Sequence, residues 1–296
     1  MPTTPAPDQR AIQHVSDTAF LVAQFRADES ARPDALFRDP LAARLAGDKG
    51  KALAAAWPTG RMSGWLLAVR TVVIDELIRA ALAGGTDMIV NLGAGLDARP
   101  YRLDLPRDLR WIEVDYPAVV AYKERALAGE APRCHLERVG LDLGDGPGRR
   151  ALLAGLDARA ARMLVLTEGV VPYLDLAAAG ALAADLRALA HVGGWIVDYI
   201  SPESHQYRER AGINRHMRES PFKFKPDDWH GFFAAHGWRQ REARFLPAEG
   251  DRLGRPVPWP FWVRIIKRVL GPLAPPARRE GLDRFAGYIV LEPAPR

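Results

Sequence analysis

A single cysteine, Cys134, stands among 296 residues. No disulfide can form within the chain, a cysteine-rich metal site is excluded, and a lone thiol fits a reducing cytoplasm. No apolar run reaches the roughly 18 residues that suggest a membrane-spanning helix. The first dozen residues, MPTTPAPDQRAI, lack the apolar stretch of a signal peptide and read as a disordered start over 1–12. Lysine is scarce, so arginine carries most of the positive charge behind a net +5. Those arginines are interleaved with acids along the chain and form no basic arm. That pattern argues against a nucleic-acid partner and favours small anionic ligands. Repeats and low-complexity segments are absent.

What is present is an ordinary globular balance, 48% hydrophobic and 26% charged, enough to bury a sizeable core. From residue 85 the pattern alternates. Apolar runs at 88–93, 110–115, 135–143, 162–169 and 194–200 read as strands, and 117–129, 148–156 and 174–190 between them read as helices. Strand and helix at this spacing imply right-handed crossovers and a parallel sheet covered on both faces. Gly193-Gly194 reads as a helix stop before the fifth strand. Later, 225–238 reads as a helix capped near Asp227, and 238–246 and 285–293 read as two strands. Together they suggest a doubly wound α/β sheet ending in a hairpin. The stretch 13–84 reads as a helical cover, with Ser16 or Asp17 capping its first helix. At 63–82 it places Trp65, Leu66, Val69, Val73 and Leu77 on one face. The remainder, 85–296, reads as the ligand-binding unit.

Four features carry chemistry. The first is "NLGAGLDA" at 91–98, where Gly93 and Gly95 let a ligand approach the backbone. A helix starting near Asp97 or Ala98 would offer it free N–H groups. The loop matches the dinucleotide pattern G-x-G-x-x-A, and a plain strand-to-helix turn is the bland alternative. The second is Glu113-Val114-Asp115, ending the next strand, where an acid bonds ribose hydroxyls in adenosine-binding folds. The third is Asp142-Leu143, able to meet an adenine amino group and ring; Asp142 could equally cap a helix. The fourth is Glu168, at the end of the apolar run from Met163 to Leu166. A carboxylate there is costly unless solvated or paired, which favours a ligand-facing role over a structural hydrogen bond.

"NLGAGLDARPYRL", "WIEVDYPAVVAYKERAL", the Asp-Leu pair and "LTEGVVPYL" together resemble the leucine carboxyl methyltransferase superfamily. They are most similar to its bacterial branch of O-methyltransferases, and the likeness extends to "TAFLVAQFRADESARPDALFRDPLAARLAG" and "AAHGWR". The resemblance implies a class I, Rossmann-like fold with a mostly parallel seven-stranded sheet. It implies S-adenosyl-L-methionine as cofactor and a carboxylate of a natural product or peptide terminus as acceptor. It implies that Arg70 holds the methionine carboxylate, assisted by Arg26 or another N-terminal basic group. Gly93 and Gly95 line the loop, Asp115 (rather than Glu113) holds the ribose, Asp142 and Leu143 meet the adenine, and Glu168 lies near the amino-acid end. Ala98 stands where the branch often has Thr.

No His–Asp pair stands out as a general base; His14, His205 and His216 read as surface or packing residues. A carboxylate acceptor, ionised at neutral pH, needs no base, whereas a phenol with a pKa near ~10 benefits from one. The insert at 199–225, rich in arginine and aromatics, reads as a lid, with Tyr199, Arg208 and Arg215 as acceptor-side candidates. The stretch 257–279 reads as a Pro-bounded helix packed on the domain, with a membrane-surface helix as the alternative. Against the methyltransferase reading stands a nicotinamide-dependent oxidoreductase using the glycine loop, although no Tyr-x-x-x-Lys pair occurs in the chain. A non-catalytic nucleoside-binding module is the third reading.

Overall fold

The computed structural model describes residues 16–217, 220–259 and 283–295. The disordered start expected over 1–12 and most of the helix expected over 257–279 lie outside them. The chain begins with three helices, α1 (Asp17–Ser30), α2 (Ala42–Ala56) and α3 (Gly60–Ala83). Alternation follows: β1 (Met88–Leu92), α4 (Arg99–Arg102), β2 (Arg110–Asp115), α5 (Pro117–Ala126), β3 (His135–Gly140), α6 (Gly146–Asp157) and β4 (Met163–Thr167). After a 3-10 turn (Val171–Tyr173) come α7 (Leu176–Arg187), β5 (Val192–Ile200), α8 (Pro202–Arg210) and α9 (Ile213–His216). The chain then forms α10 (Trp229–Ala235), β6 (Trp238–Phe245), α11 (Leu246–Arg252) and β7 (Ala286–Pro293).

The strands form one sheet in the order β3-β2-β1-β4-β5-β7-β6. β1 to β5 are parallel, and β7 runs antiparallel between β5 and β6. The expected terminal hairpin is therefore present as a β6–β7 pair, and β7, not β6, joins the parallel half. Strand order reverses between β1 and β4, which opens a crevice beyond their carboxyl ends.

Burial follows a period of two across the sheet. Met88, Val90, Met163 and Val165 point into a core shared with α6, α7 and α10. Ile89, Leu164 and Leu166 point to the opposite face, against Trp65, Val69, Val73 and Leu77 of α3. The face read from 63–82 is thus the face that packs, with Leu66 at its half-buried margin. A smaller cluster joins Leu21 and Phe25 of α1, Leu53 of α2, Leu67 of α3 and Ile213 and Met217. It lies off the sheet and roofs the crevice end of the molecule.

Several local expectations change. Gly193 and Gly194 lie inside β5, where the pairing register with β4 slips between Met163 and Leu164. A Cβ on Gly193 would lie 2.9 Å from Nε of the flexible Arg162 side chain, and α7 has already ended at Arg187, so the glycines do not stop a helix. The helix after the glycine loop is a single turn starting at Arg99. Asp228, not Asp227, precedes α10 and makes no side-chain cap bond. Ser16 occupies the N-cap of α1 without a capping bond, and Asp17 pairs with Lys49 instead. Strand β3 ends at Gly140, so Asp142 and Leu143 sit in the following loop.

Candidate functional site

One cavity of about 420 Å³ opens over the carboxyl ends of β1, β2, β4 and β5, within the ~300–1,000 Å³ usual for small-ligand sites. Arg70, Gly93, Gly95, Asp115, Asp142, Leu143 and Glu168 all line it, as do Tyr199 and Arg208. Arg215 does not; it is exposed on α9. Glu113 points elsewhere, buried between Lys123 (2.8 Å) and Arg138 (2.9 Å). It is a structural acid: two residues apart, Glu113 and Asp115 leave the same face of β2, and Asp115 alone stands at the strand's carboxyl end, on the cavity.

The glycine loop is shaped by the backbone. Gly93 and Gly95 have φ of 69° and 48°, left-handed values that L side chains rarely adopt. The amides of Gly93 and Ala94 donate to Val114 O (2.8 and 3.1 Å), and the Gly95 amide donates to Asp115 Oδ2 (2.6 Å). The Arg99 amide donates to Asp97 Oδ1 (3.0 Å). The amides expected to be free for a ligand are thus partly engaged by the loop's own acids, which leaves Asp115 clasping the loop while facing the cavity. Asp142 Oδ1 accepts from the Gly144 amide (2.8 Å), and Asp145 is the residue that caps α6.

Glu168 is both paired and cavity-lining. Its carboxylate meets Arg70 Nε at 2.9 Å and Arg99 Nη1 at 2.7 Å. Burial pushes the Glu168 carboxyl up, but Arg99 and Arg70 outweigh it and hold it below its ordinary value. Arg99 also contacts Asp75 (2.7 Å) and Asp97 (2.9 Å). Arg102 bonds Asp75 (2.6 Å) and lies 4.0 Å from Asp39, which pairs with Arg26 at 3.0 Å. The result is a buried chain of alternating charge from α1 to the end of β4. Arg26 therefore reaches the cavity wall, but its carboxylate partner is Asp39. Asp75, Arg99 and Arg102 went unread in the sequence, and Asp97 was read only as a helix start. The available signal was Asp75 inside an apolar helix face, costly unless paired.

Asp198 and Tyr288, also on the wall, face each other across β5 and β7. Tyr288 OH donates to Asp198 Oδ1 (2.8 Å), and the Gly169 amide donates to Oδ2 (2.9 Å). Burial pushes Asp198 up to about 6, despite opposing pulls from Arg70, Tyr288 and Gly169.

A model of the leucine carboxyl methyltransferase family matches residues 19–187, more than half of the chain. This chain belongs to that family. A provisionally named S-adenosyl-L-methionine-dependent methyltransferase from Parafrankia sp. is 34% identical over 84% of this chain and 84% of its own. One from Mycobacteroides abscessus, likewise provisional in name, is 34% identical over 82% of this chain and 90% of its own. In fold, the chain is similar to the crystal structure of a provisionally named methyltransferase from Thermobifida fusca. The TM-score is 0.59 and the identity 14%, covering 99% of this chain and 100% of that one.

The family sets aside the oxidoreductase and the non-catalytic module. This is a methyltransferase, and its methyl donor is S-adenosyl-L-methionine. The G-x-G-x-x-A match is then a coincidence of spacing. Among the described residues no helix of this methyltransferase is long and apolar enough to cross a membrane.

Proposed function

We propose that the methyltransferase acts on a carboxylate oxygen of a small molecule or peptide terminus, with Arg70, Gly93, Gly95, Asp115, Asp142, Leu143 and Glu168 holding the cofactor. The residues suit that ligand, which carries a carboxylate, an ammonium and a sulfonium. Arg70 Nε is 2.9 Å from Glu168 yet has no aligned hydrogen-bond partner, so the guanidinium retains donor capacity for a carboxylate. Asn91 Oδ1, also on the wall, is a buried acceptor without a partner and suits an ammonium donor. A Cβ on Gly95 would stand 3.2 Å from Ala19, so the glycine leaves room at the wall. Asp115 accepts from the Gly95 and Tyr116 amides and lines the cavity, where a carboxylate suits ribose hydroxyls.

The cofactor supplies a methyl group made electrophilic by the sulfonium. The protein's contribution is positioning, for which an effective-molarity gain offsets about 7–11 kcal/mol of barrier. Enclosure adds to it, because a carboxylate and a sulfonium both lose charge and a dry wall favours that loss.

The observation that carries the choice of nucleophile concerns the imidazoles. His205 and His216, read from the sequence as surface or packing residues rather than bases, both stand off the cavity wall. Burial, with Lys225 and Arg208 nearby, also pulls His205 down to about 4, too weak to deprotonate a phenol. A carboxylate needs no base. Asp198 favours a second reading: with its pKa pushed to about 6, it is a base on the wall that would serve a hydroxyl acceptor.

Calorimetric titration with S-adenosylhomocysteine and with NADH tests the cofactor site. Binding of the first and not the second is expected, and the reverse would overturn the reading. Radiolabelled methyl transfer to carboxylates and phenols, followed by alkali, separates the acceptors. Alkali-labile product supports the ester, and alkali-stable product supports the hydroxyl reading.

A further inference from the structure

The cavity wall is divided by charge. Asp97, Asp115, Asp142, Glu168 and Asp198 gather over the strand ends. The opposite part of the wall comes from the helices, where Leu21, Phe25, Leu67, Ile213 and Met217 belong to one apolar cluster. One cation is set into that apolar part. Arg208, on α8, lies with its guanidinium carbon 3.6 Å from the centre of the Phe222 ring. Its Nε is sealed from water without a hydrogen-bond partner, and one Nη reaches only the thioether of Met217 at 3.1 Å.

Among the described residues two other arginines line the cavity, and both face carboxylates: Arg26 faces Asp39 and Arg70 faces Glu168. Arg208 has no carboxylate at ion-pair distance among the described residues. Burying a guanidinium without a counter-ion is costly. Burial accordingly pulls Arg208 below its ordinary value, with only the Tyr173 phenol opposing it. A guanidinium stays protonated at neutral pH, so an anion is the partner that suits it.

We propose that Arg208 anchors the carboxylate of the acceptor, and that the acceptor is an amphipathic monoanion whose apolar body sits among Leu21, Phe25, Leu67, Ile213 and Met217. This rests on the carboxylate reading above and deepens it, because the apolar wall selects a hydrophobic acid over a polar one. Arginine suits the task, since its planar fork meets a carboxylate with two parallel bonds and stacks on Phe222. The pairing also ends with the reaction. A carboxylate oxygen supplies the electron pair of the new O–CH3 bond, the S–CH3 pair stays on sulfur, and no proton moves. The ester is neutral, so Arg208 releases it.

The test uses octanoate and 3-phenylpropionate, their neutral counterparts octanol and 3-phenylpropanol, and succinate as a polar acid. Titrated into enzyme saturated with S-adenosylhomocysteine, at least one hydrophobic acid is expected to bind tenfold or more tightly than its alcohol and than succinate. Arg208→Gln should weaken that acid to the level of the alcohol with homocysteine-product affinity unchanged, and Arg208→Lys should restore part of it. Equal binding of acid and alcohol, no binding of either acid, or an Arg208→Gln variant that holds the acid as wild type does would each overturn the proposal. Failure of S-adenosylhomocysteine itself to bind would instead take down the cofactor site along with it. If Arg208→Gln does not fold, the wild-type comparison of acid with alcohol decides.

Discussion

Arg70 and Asp198 both line the cavity and make opposite demands on charge. Arg70 shares Glu168 with Arg99, so its loss leaves Glu168 with a partner at 2.7 Å. Arg70→Ala should therefore stay folded yet lose about 1.5–3 kcal/mol of S-adenosylhomocysteine affinity, a charge-assisted bond's worth. Calorimetry checks this, and unchanged affinity would remove Arg70 from the site. Asp198 is held the other way, its pKa raised from 3.8 to about 6 by burial. The native state then binds more protons than the unfolded state between those values. Stability falls as pH rises through that window and stays reduced above it, by roughly 3 kcal/mol. Asp198→Asn should flatten the decline in melting temperature between pH 4 and 6.5. An undiminished decline in the variant would assign the slope to another group.

The turn from β1 into α4 shows what one element contributes. Gly93 sits at φ 69°, and a Cβ there would lie 2.4 Å from Val170 Cγ2, beyond the end of β4. Two costs follow for Gly93→Ala, left-handed strain of about 1–2 kcal/mol and a steric clash. Urea unfolding should show a loss of about 2 kcal/mol or more. Adding Val170→Ala should recover the clash and leave the strain; no recovery would show that the valine gives way freely. The turn's glycines were legible in the sequence because no other residue tolerates that backbone so cheaply. Its hydrogen bonding was not legible. Asp115 lies 20 residues from Gly95, and only the parallel pairing of β1 with β2 brings its carboxylate onto the Gly95 amide.

At the scale of the molecule, buried charge ties the helical roof to the sheet. Asp75 of α3, 2% exposed, holds both Arg99 and Arg102. Asp75→Ala strands two guanidinium groups and should cost about 3–5 kcal/mol in urea unfolding; a loss below about 1 kcal/mol would show that Asp97, Glu168 and Asp39 suffice. The sequence by itself determined the alternation of strands and helices, the glycine loop and the carboxyl-end acids, because periodicity, backbone tolerance and the cost of a carboxylate in an apolar run are local. It left Arg208 and Arg215 equivalent, and it read Glu168 as facing a ligand without its two arginines. Tertiary structure separated the first pair by turning Arg208 into the cavity wall and Arg215 into water, and it inserted β7 between β5 and β6. Those outcomes depend on which distant charges and apolar faces are brought into contact, and a one-dimensional pattern does not carry the energy of such contacts.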